Sequence, residues 1–389
     1  MNLFESDKIN FDLLRKRAFN LRWAELPDGV IPLTAADPDF KSAIEISDAI
    51  IEYSKGQYFS YGPPGGFMEF KESIATFFES KRGVAVDPNL VLPVDSAAFG
   101  IYVTCKTFLA EGDEAIIFDP VDFLFKYSIE QVGAKAITFE IPPGSKYVDF
   151  RKMQSLITNK TKLICLCNPL NPTGKVFTKD ELLVLGEIAL KNKIMILSDE
   201  IWSDIVYPPA VFTSIASLND AIRAKTITVT GFSKSYGMAG LRLGVIIAHN
   251  EQIYNDLVEN SLHNSTVHGV NVLAQIAGIA ALEKCDYWLS EFICHLQKMR
   301  DFLVEEINSI PNLSCEAPDG CYVLFVNIKE TNKTSHEIYE LLLNEAKVAV
   351  VPGLEQWFGK GAEGYIRICF STSEELLREA IARIKNCLN

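Results

Sequence analysis

One lysine and one arginine share a glycine-rich stretch, Gly231-Phe232-Ser233-Lys234-Ser235-Tyr236-Gly237-Met238-Ala239-Gly240-Leu241-Arg242-Leu243-Gly244. The β-type run Thr226–Thr230 leads into it, and the apolar run 243–248 leads out. A primary amine at a strand end, among small residues, can form a Schiff base with an aldehyde. A guanidinium close by can hold a phosphate through paired hydrogen bonds. Two more loops follow apolar runs in the same way. Asn168-Pro-Leu-Asn-Pro-Thr-Gly174 follows Leu163–Cys167, and Asp199-Glu200-Ile201-Trp202 follows Ile194–Ser198. If the three runs are strands of one parallel sheet, their loops converge on one edge. That edge then carries an amide (Asn171), a carboxylate (Asp199), an amine (Lys234) and a guanidinium (Arg242).

These four groups match the needs of pyridoxal 5'-phosphate. The lysine links to the aldehyde as an internal aldimine that an incoming amino group displaces. The carboxylate keeps the pyridine nitrogen protonated, so the ring can draw in carbanion charge. The amide orients the ring near its phenolic oxygen, and the arginine neutralises the phosphate.

The elements that must position these groups can be read from periodicity. Residues 91–250 alternate between apolar runs and helical patterns. Strands are expected at 115–119, 135–140, 162–167, 193–198, 226–230 and 243–248. Most of these are continuously apolar, as in a sheet covered on both faces. Thr178-Lys-Asp-Glu181 reads as a capping box that opens one intervening helix. The fold class is therefore α/β: a large three-layer domain with a mostly parallel sheet, plus a smaller α+β domain. The large domain is expected over 46–280, and the small one over 1–45 and 281–389. A long helix carries Leu289, Phe292, Leu296, Met299, Leu303 and Ile310. Strand-like runs at 321–328, 347–351 and 364–370 follow, then a closing helix with Leu377, Ile381 and Ile384 on one face.

Composition limits the partners. With 37 basic against 50 acidic residues, the net charge of −13 disfavours nucleic acid and anionic membranes. Any anionic ligand must then be held by a local cluster of positive groups. No apolar run reaches the length of a membrane span, and the N-terminus lacks a signal-peptide core. The nine cysteines form no disulfide-like framework, and a cytoplasmic location is expected. The histidines show no metal-ligand spacing. Gly174-Lys175 lacks the leading glycine and trailing hydroxyl of a P-loop.

The motif order resembles the class I/II aminotransferases of the aspartate aminotransferase fold, over roughly residues 30 to 370. The resemblance rests on Asn-Pro-x-Asn-Pro-Thr-Gly, Asp-Glu-x-aromatic, Ser-Lys-x-x-Gly-x-x-Gly-x-Arg-x-Gly and a late Tyr365-Ile366-Arg367, in sequence. It implies Lys234 as Schiff-base lysine and proton shuttle, and Asp199 as pyridinium partner. It also implies Asn171 at the phenolic oxygen, Ser233 and Arg242 at the phosphate, and Arg367 on the substrate α-carboxylate. Ser96, Ala97 and Ala98 match the turn that cradles the phosphate with backbone N–H groups. Ala36 matches a small residue over the substrate carboxylate. Tyr61, in Tyr-Gly-Pro before a helix, is similar to a tyrosine that reaches the phosphate of a neighbouring subunit, which implies a homodimer.

Departures from the pattern lie around that core set. The phosphate turn reads Asp95-Ser96-Ala97 without glycine. Trp202 stands where a tyrosine usually bonds the phenolic oxygen, and an indole can only donate. Gly231 replaces a frequent serine. Asp122 occupies the place of the ring-stacking aromatic, leaving Phe123 or Phe125 as substitutes. Structural readings stand beside the functional ones: Asp199 as a helix N-cap, Arg367 in a buried ion pair, Trp202 as packing.

The resemblance implies an aminotransferase that moves an amino group between an L-amino acid and a 2-oxo acid. The alternative is a carbon–sulfur β-lyase releasing pyruvate and ammonia. Ala-Asp-Pro-Asp-Phe40 and Tyr287-Trp288-Leu289 resemble the cystathionine β-lyase-like branch. A regulator that keeps the fold without turnover ranks behind both, because no basic segment precedes residue 30. Side-chain specificity is expected from loops around 10–40 and 255–270, the neighbouring subunit and Trp202.

Overall fold

The structure is a computed structural model and describes residues 3–388. After the short strand β1 (Ile31–Pro32), seven strands build the principal sheet. They are β2 (Val91–Val94), β3 (Glu114–Asp119), β4 (Lys135–Glu140), β5 (Thr161–Cys167), β6 (Met195–Asp199), β7 (Thr226–Gly231) and β8 (Gly244–Ile247). Their order across the sheet is β2-β8-β7-β6-β5-β3-β4. The run from β4 to β7 is parallel, and β8 lies antiparallel to both β7 and β2. Helices cover both faces, and residues 163–167 of β5 and 196–199 of β6 are buried throughout. That is why the sequence shows unbroken apolar runs rather than alternation.

Register aligns the strand ends. Cys167 pairs with Asp199, and Asp199 with Val229. The loops after β5, β6 and β7 therefore leave the sheet at one level, as expected. Gly174 closes the first of them at φ +72°, where a Cβ would lie 2.3 Å from Pro318 Cβ. The helix Lys179–Asn192 opens with both halves of its capping box formed between Thr178 and Glu181. Lys175 Nζ sits 3.2 Å from Glu181 Oε1, so that lysine has a structural partner.

Strand β2 is absent from the sequence reading. Its Val-Leu-Pro-Val run contains Pro93, which argues against a strand. β2 lies at the sheet edge and pairs only with β8, so the missing N–H breaks no second ladder.

A second sheet holds β9 (Val323–Asn327), β12 (Tyr365–Cys369) and β11 (Val351–Pro352), in the order β11-β12-β9 and antiparallel throughout. The run expected at 347–351 is two strands. Residues Val348–Ala349 form β10 and pair with β1, after which the chain changes partner at Val350. The long helix Asp286–Asn308 buries Leu289, Phe292, Leu296, Met299, Leu303 and Ile307. Against it packs the closing helix Glu374–Leu388 through Leu377, Ala380, Ile381 and Ile384. Each such large apolar side chain contributes about 1.5–3 kcal/mol on burial, which fixes Arg367 on β12 relative to the principal sheet.

Candidate active site

A cleft of about 390 Å³ opens at the carboxyl edge of the principal sheet and is closed by β12. Ala36, Ser96, Ala97, Ala98, Asn171, Asp199, Trp202, Ser233, Lys234, Arg242 and Arg367 all line it. A larger hollow, of about 1040 Å³, lies beside the long helix and holds none of them. Tyr61 is the one residue singled out by the sequence that stands apart. It is 88% exposed in the loop before the helix Met68–Arg82 and packs edge-on against His268 at 4.8 Å.

Lys234 lies on the turn after β7. Its Nζ donates to Ala36 O at 2.6 Å and stands 5.2 Å over the Trp202 ring. Burial pushes the amine below its usual value, and Arg367 adds to this, while Asp37 and Asp122 oppose it. The result is an amine more readily neutral than an exposed lysine.

Asp199 ends β6. Its Oδ1 accepts from Ile201 N at 3.0 Å, which satisfies the local turn but leaves Oδ2 without a protein donor among the described residues. Burial, aided by the nearby carboxyls of Asp122 and Glu200, raises it to about 7. A carboxyl held there ionises when a cationic partner arrives. Glu200 points away into protein, accepting from Ser198 and Ser214 hydroxyls at 3.0 and 2.7 Å.

Asn171 connects two charges. Its Oδ1 accepts from Arg367 Nη1 at 3.2 Å, and its Nδ2 donates to Asp122 Oδ2 at 2.9 Å. One amide N–H remains for a ligand. Arg367 also donates through Nη2 to Thr34 O at 3.1 Å, and its plane lies 5.1 Å from the Phe358 ring. It forms no salt bridge among the described residues, and its buried Nε has no acceptor. The structural ion pair weighed from the sequence is therefore not made, and the fork is open to a carboxylate.

The end of the cleft beside the helix start is built from three parts. Ser96 caps the helix Ala97–Phe108 through Oγ to Phe99 N at 3.1 Å, so the first backbone N–H groups face the cleft. Arg242, in the left-handed region at φ 55°, has no protein anion among the described residues. Ser233 Oγ likewise has no protein partner among them. Gly231 and Gly244 pair across β7 and β8. A Cβ on Gly231 would lie 2.9 Å from Leu243 O, and one on Gly244 would lie 2.5 Å from Ala97 N. Glycine at 231 thus follows from close strand packing next to the turn at Ser96.

Trp202 is buried, meets Tyr322 edge-on at 4.6 Å, and lines the cleft, so it both packs and faces the site. Both candidate aromatics line the cleft, Phe125 from within the sheet core. Phe123 sits at the mouth against Trp357 at 5.6 Å. Residues 255–270 contribute nothing to the cleft of their own chain, whereas Asn20 and Leu21 do. The sequence reading missed Trp357 and Phe358, which no local motif announces. It noted Asp122 only as a departure. The position of Asp122 just past the end of β3 was the available signal.

An unpaired arginine beside a helix start, a buried carboxyl short of a cation, and a desolvated amine fit pyridoxal phosphate at its phosphate, ring nitrogen and aldehyde. The comparisons agree. The family description that matches, aminotransferase class I and II, covers residues 28–384. The aspartate aminotransferase of Bacillus subtilis (strain 168) is 33% identical over 362 residues, 92% of this chain and 90% of its own length. The aromatic-amino-acid aminotransferase 2 of Thermococcus litoralis is 32% identical over 368 residues, 93% and 92% of the two chains. A PLP-bound putative aminotransferase from Clostridium difficile 630 superposes with a TM-score of 0.90 at 27% identity, covering 96% of this chain and 98% of that one. Cystalysin from Treponema denticola superposes at 0.91 with 24% identity over 100% of this chain and 99% of that one, a likeness of fold alone.

The chain belongs to the class I and II aminotransferase family. It is a pyridoxal-phosphate-dependent aminotransferase acting on an amino acid and an oxo acid. The β-lyase alternative is not favoured, because the relatives above 30% identity are aminotransferases. Among the described residues, no helix is long and apolar enough to cross a membrane, and no cluster of His, Cys, Asp and Glu is placed to hold a metal.

Proposed function

We propose that Lys234 is the residue that links to the cofactor aldehyde and moves the substrate α-proton. The observation that carries this is the meeting of Asp199, Arg367 and the Lys234–Arg242 stretch in one cleft from three distant parts of the chain. Bound there, pyridoxal phosphate supplies an electron sink for the substrate α-carbon. Asp199 would hold the ring nitrogen proton through its free Oδ2. Arg242, Ser233 and the N–H groups after Ser96 bind the phosphate. Arg367 grips the α-carboxylate, held at the correct angle by Asn171 and Thr34 O. Ala36 O holds the Lys234 amine when it is not linked to the cofactor. Lys234 Nζ, whose pKa burial lowers, would then take up the substrate α-proton and hold it for transfer. Trp202 and Phe358 line the cleft beside it and would help to exclude water.

Residues 46–280 form the lobe that binds the cofactor, and residues 1–45 and 281–389 the smaller lobe that delivers Arg367. The working unit is a homodimer in the cytoplasm, with Tyr61 reaching the phosphate of the partner. Exposure of Tyr58, Phe59 and Tyr61 in one loop supports an interface there. In the test, purified protein is mixed with a panel of amino acids and its visible spectrum followed, with oxo acid measured. Conversion to the amine form of the cofactor with matching oxo acid is expected. Lys234→Ala should bind cofactor without the lysine-linked visible band, and a normal band in that variant would sink the assignment. Mixing inactive Lys234→Ala with weakened Tyr61→Ala should restore activity in heterodimers if Tyr61 acts across the interface.

A further inference from the structure

Once the cofactor and an α-carboxylate are in place, four of the cleft's charges have partners: Lys234, Asp199, Arg242 and Arg367. One charge is left over, Asp122. It follows β3 directly and lines the same cleft. Its Oδ1 accepts from Leu124 N at 3.2 Å and its Oδ2 from Asn171 Nδ2 at 2.9 Å. Both bonds come from neutral donors, and each oxygen keeps a second acceptor site. No salt bridge joins Asp122 to a lysine or arginine among the described residues. Asn171 stands between it and Arg367, so the carboxyl lies one amide beyond the guanidinium that takes the α-carboxylate.

The cations that could receive an acidic substrate side chain are missing. Among the described residues, the cleft is lined by Lys234, Arg242 and Arg367 and by no other lysine or arginine. Arg22, close by, is buried and already paired with Asp39. A neighbouring subunit would bring the loop 57–66, which contains no lysine or arginine. Residues 243–283 contain none either, and His268 beside Tyr61 is the one exposed histidine there.

We propose that Asp122 selects the substrate side chain, so that this enzyme prefers amino acids with a cationic side chain, a primary ammonium or a guanidinium, over neutral or acidic ones. A buried or half-buried carboxylate gains most from a cation brought to it without water. An acidic side chain would meet Asp122 as a like charge with no compensating partner. The proposal rests on Arg367 holding the α-carboxylate, since that contact orients the side chain toward Asp122.

The test uses holoenzyme and two readouts. The first is kcat/KM for L-ornithine and L-arginine against L-norvaline, L-aspartate and L-glutamate. The second is calorimetric binding of α-methylornithine and 2-aminoisobutyrate, which have no α-proton to lose. Wild type should favour ornithine or arginine over norvaline at least tenfold. It should bind α-methylornithine more tightly by a similar factor. Asp122→Asn, which keeps an acceptor for Asn171, should lower both ratios about tenfold, while Asp122→Glu keeps part of the preference. Preference of wild type for norvaline, aspartate or glutamate would overturn the proposal even if the variant failed to fold. Equal loss for cationic and neutral substrates in Asp122→Asn would also overturn it, since Asp122 would then serve the α-ammonium common to both. No conversion with any amino acid would overturn the assigned activity and this proposal with it.

Discussion

Replacing Asp199 by Asn in the cofactor-free protein should remove a penalty that grows with pH. The Asp199 carboxyl is raised from 3.8 to about 7 in the folded chain, mainly by burial. Between those values the folded state holds a proton that the unfolded chain has released. Stability from this group therefore falls as pH rises, from no penalty below about pH 4 to the full penalty above about pH 7. A shift of about three units corresponds to roughly 4 kcal/mol, an upper figure for a buried carboxyl among others. Asp122 and Glu200 add repulsion and Lys234 offsets it, so removing Asp199 lets the two neighbours ionise more easily and trims the difference. Urea unfolding of cofactor-free wild type and Asp199→Asn, from about pH 5.5 to about pH 8, measures the stability difference between them. Wild type should lose about 2 kcal/mol relative to the variant between about pH 5.5 and 7, and then level off. Saturating pyridoxal phosphate should flatten that slope in wild type, because the ring nitrogen proton gives the carboxylate its partner. A difference that stays constant, or that grows in favour of wild type with pH, would refute a desolvated Asp199.

Arg242→Ala should weaken cofactor binding by roughly 10- to 100-fold, the loss of charge-assisted bonds worth about 1.5–3 kcal/mol, with little change in the melting temperature of the cofactor-free protein. Equilibrium dialysis measures the first and calorimetry the second, and unchanged cofactor affinity would remove Arg242 from the phosphate site. Gly231→Ser, which restores a hydroxyl common in the family, should destabilise the protein by about 1–3 kcal/mol, because its Cβ would stand 2.9 Å from Leu243 O. Thermal unfolding at saturating cofactor decides this, and a gain in both stability and cofactor affinity would show that the strands part easily.

The principal sheet was legible because most of its strands, though not the edge strand β4, are buried on both faces. Such strands give unbroken apolar runs such as Leu163–Cys167, and ladder register then forces their loops to one level. β2 was not legible, since Pro93 is acceptable only at an edge and the sequence does not say which strand is the edge. The split at Val350 was equally hidden, because both halves are apolar and only their partners differ.

Sequence alone determined which groups the site contains. Lys234, Asp199, Asn171 and Arg242 each end a recognisable run, so their types and order announce an amine, an acid, an amide and a guanidinium at one sheet edge. Tertiary structure decided how those groups are shared. Packing of the two helices against β12 brings Arg367 to Asn171, from 196 positions away in the chain. The same folding joins Asn171 to Asp122, leaves Arg242 without a protein anion, and places Tyr61 outside the cleft of its own chain. Each of these depends on contacts between segments far apart in sequence, where no local pattern fixes distance or direction.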